Sequence, residues 1–163
     1  MQTLDALTSL LKSHPFLAGL TPEFYEFFHR HATIRRFASQ QQIFHEGGEA
    51  DHFYLILFGE VALDTLVPGC GTVTIQRLGP REALGWSWLF PPYQWHFTAT
   101  TLAPTEVISF NAEALRAKAA ENRDFHNELL IRVAKTLFER LQGTRMQLIT
   151  LYGNSPPNAI GSG

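Results

Sequence analysis

From Ala32 to Phe110 the sequence is a series of short runs rich in β-branched and aromatic residues, separated by turn residues. The runs fall near 33–38, 42–45, 52–58, 60–66, 72–78, 95–102 and 105–110. Side chains of these types suit a pleated, half-buried surface. Many short strands at regular spacing argue for a β sandwich or jelly roll. Gly47 and Gly59 stand where a sheet corner needs a backbone free of Cβ strain. Pro68-Gly69-Cys70-Gly71 reads as a hairpin tip, which puts Cys70 at or near the surface. No cation is adjacent in sequence to lower its thiolate pKa, so Cys70 reads as a loop cysteine rather than a redox centre.

Helical patterns flank this β region. Leu4, Leu7, Leu10 and Leu11 recur at helical spacing over residues 3–13, and Pro15 ends that segment. Thr21 followed by Pro22 reads as an N-cap with proline at the first helical position, and the helix beyond carries Phe24, Phe27 and Phe28 on one side. On the far side Asn111 caps a short helix over about 112–119, with Ala112, Leu115 and Ala119 inward. A long helix follows over about 124–152, its apolar residues Leu130, Val133, Ala134, Leu137, Leu141, Leu148 and Leu151 falling near a and d spacing. That stripe serves either to lie on the chain's own sandwich or to pair with a second copy. We expect pairing, with Leu130, Val133, Leu137, Leu141 and Leu148 at the interface. The organisation expected is a helical segment over 1–31, a β jelly roll over 32–111, helices over 112–152 and a flexible tail over 153–163. Within that tail Gly161-Ser162-Gly163 reads as an expression remnant.

Charge excludes several partners. Net charge is -2, with 17% charged and 45% hydrophobic residues, which describes a globular chain without the basic footprint of a nucleic-acid or anionic-membrane binder. The single cysteine rules out an intrachain disulfide and fits a reducing compartment. Asp5, Lys12 and Pro15 interrupt any leader peptide, and no apolar run approaches the roughly 20 residues of a membrane span. A cytoplasmic location is the expectation, without direct membrane contact.

The chemistry concentrates between Leu78 and Thr101. Gly79-Pro80 marks a turn, and Gly85 permits either a positive φ or close backbone approach. Trp86, Ser87, Trp88, Leu89 and Phe90 fit one short helical turn before Pro91-Pro92 stops it, and Gln94 to Thr101 returns as a strand. A glycine turn opening a short helix offers free N–H groups, the basis of an anion pocket.

This layout resembles the phosphate-binding cassette of the cyclic-nucleotide-binding domain, as in the catabolite-activator and FNR-type regulators. Ile43-Phe44-His45-Glu46-Gly47-Gly48-Glu49 resembles the family's first turn, and Phe53 to Val61 resembles its (Phe/Tyr)-Tyr-x-Ile-x-x-Gly-x-Val strand corner. Asp51 sits where the family has an acidic residue, and Pro15-Phe16-Leu17 with the phenylalanine helix resembles its leading segment. In the cassette Leu84-Gly85 and Thr98-Ala99 match, but Trp86 stands at the place of the glutamate that holds the ribose 2′-hydroxyl. For the arginine that grips the cyclic phosphate, counting forward from Phe90 gives His96 and counting back from Thr98 gives Phe97. In the C-helix Arg140-Leu141-Gln142-Gly143-Thr144 resembles the catabolite-activator segment whose threonine reaches the purine, and Arg145 replaces the serine contributed by the neighbouring subunit.

The resemblance implies an α+β fold, a β jelly roll (double-stranded β-helix) with N-terminal helices and a long C-terminal helix, working as a homodimeric regulatory or sensor domain without enzymatic activity. It implies a ligand site at Gly85, Trp86, Ser87, Trp88, His96, Phe97, Thr98, Ala99, Thr144 and Arg145. A cyclic nucleotide or another small anion is the ligand class, bound with weakened or altered specificity because the two charged anchors are replaced. No cofactor, metal or catalytic residue is expected. No helix-turn-helix follows the long helix, so direct DNA binding is not expected of this chain.

Alternatives stay open at this level. His96 either substitutes for the arginine when protonated or is simply packed. Ser87 donates to a ligand or caps its own short helix. Trp86, Trp88, Trp95 and Tyr93 either stack on a ligand or fill its place. A true cAMP or cGMP binder using His96 and backbone donors is one rival, and a ligandless dimerisation module presenting a surface to a partner protein is the other. A cupin-type metal enzyme is the remotest: His29-x-His31 has the right spacing but sits in a helix, while His45, His52 and His96 fall on separate elements.

Overall fold

The computed structural model describes residues 2–154. In chain order the elements are α1 (Gln2–Ser13), α2 (Pro22–His31), β1 (Ala32–Phe37), β2 (Gln42–Phe44), β3 (His52–Phe58), β4 (Val61–Val67), β5 (Gly71–Leu78) and β6 (Ala83–Leu84). A 3-10 turn at Ser87–Leu89 follows, then β7 (Thr98–Thr101), β8 (Thr105–Asn111), α3 (Ala112–Glu121) and α4 (Arg123–Gly153). Two antiparallel four-stranded sheets, ordered β1-β8-β3-β6 and β2-β7-β4-β5, make the jelly roll.

β3 shows why the sequence runs as it does. It is a continuous apolar run because both its faces are covered: Phe53 meets Phe16 (5.0 Å between ring centres) outside, while Tyr54 meets Phe44 of the other sheet (6.1 Å) inside. Phe53, Leu55 and Ile56 are fully buried, as are Val107, Ile108 and Phe110 of β8 beside them. Tyr54 is pushed up to about 12 by burial, partly offset by Arg35, so it remains a neutral phenol. The corner between β3 and β4 depends on Gly59: its φ is +98°, and a Cβ there would lie 2.6 Å from the Pro104 carbonyl oxygen. No other residue type fits that corner.

An aromatic cluster ties the helices down. Phe125, in the first turn of α4, lies within 5.2 Å of Phe24 and 5.1 Å of Phe27, and Phe28 reaches Phe110 of β8 at 5.2 Å. Asn111 accepts from the Ala114 N–H and so caps α3 through its side chain. Thr21 occupies the N-cap of α2 with extended backbone but makes no side-chain capping bond, so Pro22 alone carries that start signal. The chain forms two compact units, residues 1–125 and 126–163. In the second, Leu137, Phe138, Leu141, Leu148 and Leu151 of α4 are exposed. The putting of a tail over 153–163 falls outside the described residues from Ser155 onward, as does Gly161-Ser162-Gly163. Cys70 is exposed at the tip between β4 and β5. No helix among the described residues is long and apolar enough to cross a membrane.

One strand differs from expectation. The return from the cassette is regular only over Thr98–Thr101, not 95–102. Its leading part is drawn away from the sheet by the β2–β3 turn: the Trp95 N–H donates to Gly48 O (2.9 Å), and Trp95 O accepts from Gly47 (2.8 Å). A short strand at Ala83–Leu84, pairing with Leu55 and Tyr54, was not anticipated, because two residues carry no periodicity.

Candidate functional site

The cassette begins where β6 ends. Gly85 turns the chain with φ +87°, and one 3-10 turn follows, closed by Leu89 N–H donating to Trp86 O at 3.0 Å. Pro91 and Pro92 have no N–H to extend it. Tyr93 to Trp95 then run along the β2–β3 turn, with Ala50 N–H donating to Tyr93 O at 2.8 Å.

Ser87 and His96 are brought together: Ser87 Oγ and His96 Nδ1 lie 3.0 Å apart, and His96 is exposed. Thr98 is half-buried and its hydroxyl accepts from the Glu46 N–H at 3.0 Å, so it helps hold the β2–β3 turn against β7. Ala99 is fully buried in β7, and Phe97 is exposed. Thr144 and Arg145 lie on α4 and are exposed, Thr144 donating to Arg140 O at 3.0 Å. They belong to the second unit.

The rings do not form one cluster. Trp86 packs towards Phe16 (5.4 Å) and Phe53 (5.2 Å). Trp88 is fully buried and shares Phe53 with it at 5.5 Å. Trp95 stands apart, stacked on Phe44 at 3.8 Å and 12°. Its ring also covers Gly85, whose missing Cβ would come within 2.7 Å of it. Tyr93 lies under the guanidinium of Arg116, 4.4 Å from the ring centre.

Two side chains that the sequence did not single out matter here. Arg116, on α3, donates to the Trp88 carbonyl at 2.8 Å while stacking on Tyr93, and so fastens both ends of the cassette loop to the helix. An arginine beside Leu115 on a short helix carries no pattern that would have revealed this. His14 is buried, its Nδ1 accepting from Phe16 N–H at 3.2 Å. Burial pushes it down to about 4, against the pull of the Glu82 and Ile56 carbonyls.

Between Ala83 and Thr101 there is no Asp, Glu, Lys or Arg, so the cassette segment itself offers an anion backbone N–H groups, hydroxyls and one imidazole, and the cation beside it, Arg116, comes from α3. No group of His, Cys, Asp or Glu side chains arranged to hold a metal ion occurs among the described residues. The family model for the cyclic nucleotide-binding domain matches residues 34–122, more than half the chain and the whole of the cassette. The chain belongs to the cyclic nucleotide-binding domain family. It is 26% identical over 118 residues, 72% of its length, to a CRP-like cAMP-activated global transcriptional regulator from Mycobacterium tuberculosis. It spans only 51% of that relative. Among solved structures, a cyclic nucleotide-binding domain from Methylobacillus flagellatus superposes with TM-score 0.75 at 19% identity, covering 99% of this chain and 86% of that one. The catabolite activator protein of Thermus thermophilus gives TM-score 0.65 at 24% identity, covering 85% and 63% respectively. These likenesses establish the jelly-roll fold.

Proposed function

We propose that this domain is a non-enzymatic regulatory sensor of the cyclic-nucleotide-binding type, dimeric through α4, whose affinity for ordinary cAMP and cGMP is weakened or redirected. The observation that carries this reading is the exchange of both charged anchors for groups that face elsewhere or bind less. Trp86 packs against Phe16 and Phe53. His96, at one of the two positions that align with the arginine, has one ring nitrogen engaged with Ser87. An imidazole lacks the planar fork that makes arginine suited to phosphate. Each lost charge-assisted contact is worth about 1.5–3 kcal/mol, so two together cost roughly two to four orders of magnitude in affinity.

Any small anion that does bind is held by Gly85, Ser87 and the backbone near Thr98 and Ala99; Thr144, retained on α4, is the remaining ligand contact that the family resemblance implies. In the family's mode of regulation such a ligand acts only through contacts that differ between two arrangements of the helix. The second reading, a true cyclic-nucleotide binder, rests on the Ser87–His96 pair, which presents a protonatable ring at the surface.

The test is thermal melting with a panel of nucleotides and organic acids. At 1 mM, cAMP and cGMP should raise the midpoint by less than about 1 °C, since mass action gives only RT ln 2 when Kd is millimolar. A compound that does shift it should lose affinity in Ser87→Ala and Thr144→Ala proteins; unchanged affinity in both would sink the residue assignment. Sedimentation equilibrium should give a dimer, and Leu137→Glu with Leu141→Glu a monomer.

A further inference from the structure

We propose that the ligand site of this domain is filled from within: the Trp95 indole occupies the slot between Phe44 and Gly85 that a flat aromatic group would otherwise enter. The inference deepens the reading above and rests on it for the location of the site. Three observations carry it. Trp95 is 4% exposed, although it lies on the irregular return from a surface loop. Its ring stacks on Phe44 at 3.8 Å and 12°, and Phe44 in turn stacks with Tyr54 across the sandwich at 6.1 Å. The indole thus joins a column of rings drawn from both sheets. Its Cζ3–Cη2 edge lies against Gly85, where even a methyl group would be 2.7–2.8 Å from those two carbons.

Gly85 is the one cassette residue that keeps the resemblance at the point where the chain turns, and its bare backbone is what a bound group would approach. Here that approach is made by a side chain of the same protein. The indole is fixed rather than hovering. Trp95 N–H and O both pair with the β2–β3 turn, at 2.9 Å to Gly48 O and 2.8 Å from Gly47 N. A flat ring stacked on an aromatic plate, with its edge against a bare backbone, is an arrangement that suits a planar aromatic group. The domain therefore carries, against Gly85, a planar group of its own where a bound group would otherwise approach.

Removing the stand-in should open a slot with a defined chemistry: apolar, planar and uncharged. Trp95→Gly and Trp95→Val proteins, with folding checked by near-ultraviolet circular dichroism, should be stabilised by free indole. The expected rise is about 3 °C in melting midpoint once indole exceeds its Kd tenfold, with none in the wild type. Trp95→Val keeps a β-branched residue in place and guards against loss of folding in the glycine variant. The wild type supplies an independent measurement. Labelled with 5-fluorotryptophan and assigned through Trp95→Phe, its Trp95 resonance should stay unshifted by millimolar adenosine. Folded variants that gain nothing from indole, or a Trp95 resonance that shifts saturably with adenosine, would overturn the proposal. Tight cAMP binding by the wild type would instead refute the weakened-affinity reading, so the two failures are separable.

Discussion

The jelly roll and the cassette are made by the same chain under opposite rules. In the jelly roll the backbone is satisfied by strand partners: β8 pairs with β1 and β3 over their length, and apolar residues fall wherever a face is covered. In the cassette almost nothing is periodic. One 3-10 turn and a short bridge between Glu49 and Gln94 are held by partners borrowed from distant elements, the Arg116 guanidinium from α3 and the Gly47 and Gly48 backbone from the β2–β3 turn. The first region follows from strand pairing and periodicity, and the second from contacts between distant elements, so the two answer to different parts of the sequence.

The two glycines at the ends of this contrast should separate it most sharply. Gly59→Ala puts a side chain into positive φ and against the backbone of Pro104 and Thr105, neither of which can yield. A loss of at least about 3 kcal/mol in urea unfolding is expected. Gly85→Ala carries the same φ penalty, but its obstacle is the Trp95 ring, which can be pushed aside. About 2 kcal/mol is expected, with the indole signal altered, and equal losses at the two sites would break the distinction.

Acid should act on the jelly-roll side. His14 takes up a proton near 4 in the folded protein and near 6.5 when unfolded, so the unfolded chain binds more protons between those values. Stability should be fully present above about pH 6.5 and fall as pH drops towards 4, by on the order of 3 kcal/mol from this group. Equilibrium unfolding across that range should show the slope, and His14→Gln should remove it; an unchanged slope would show that other groups are responsible. The smallest effect is expected at the cassette's fastening. Arg116→Met should cost about 1–2 kcal/mol and raise hydrogen exchange at Leu89 and Tyr93 while leaving β3 and β8 protected.

The jelly roll was readable because it obeys simple periods. Phe53 to Phe58 announces a strand, and Asn111 announces a helix start that the structure confirms with a side-chain bond. Gly47 and Gly59 mark corners where the backbone takes a positive φ, and at Gly59 a Cβ would also strike Thr105 and the Pro104 carbonyl. The cassette's helical turn was also readable, since Pro91 and Pro92 fix where it must end. What could not be read was which ring points where. Trp86, Trp88 and Trp95 look alike in sequence, yet two pack on Phe53 and one stacks on Phe44, a choice made by contacts distant in the chain. The strand assigned to 95–102 began too early for the same reason: Trp95 is aromatic and strand-like, but the β2–β3 turn claims its backbone. Arg116 gave no signal at all, because its partners are a carbonyl and a ring on another element.

The central claim is that a family fold has been kept while its grip on cyclic nucleotides has been relaxed. Isothermal titration of the wild-type protein with cAMP and cGMP addresses it most directly. The account predicts no binding tighter than about 1 mM for either, as expected when two charge-assisted contacts are gone. A dissociation constant of about 10 µM or below for either nucleotide would contradict it, and would place the missing charge on His96 and the backbone around Gly85.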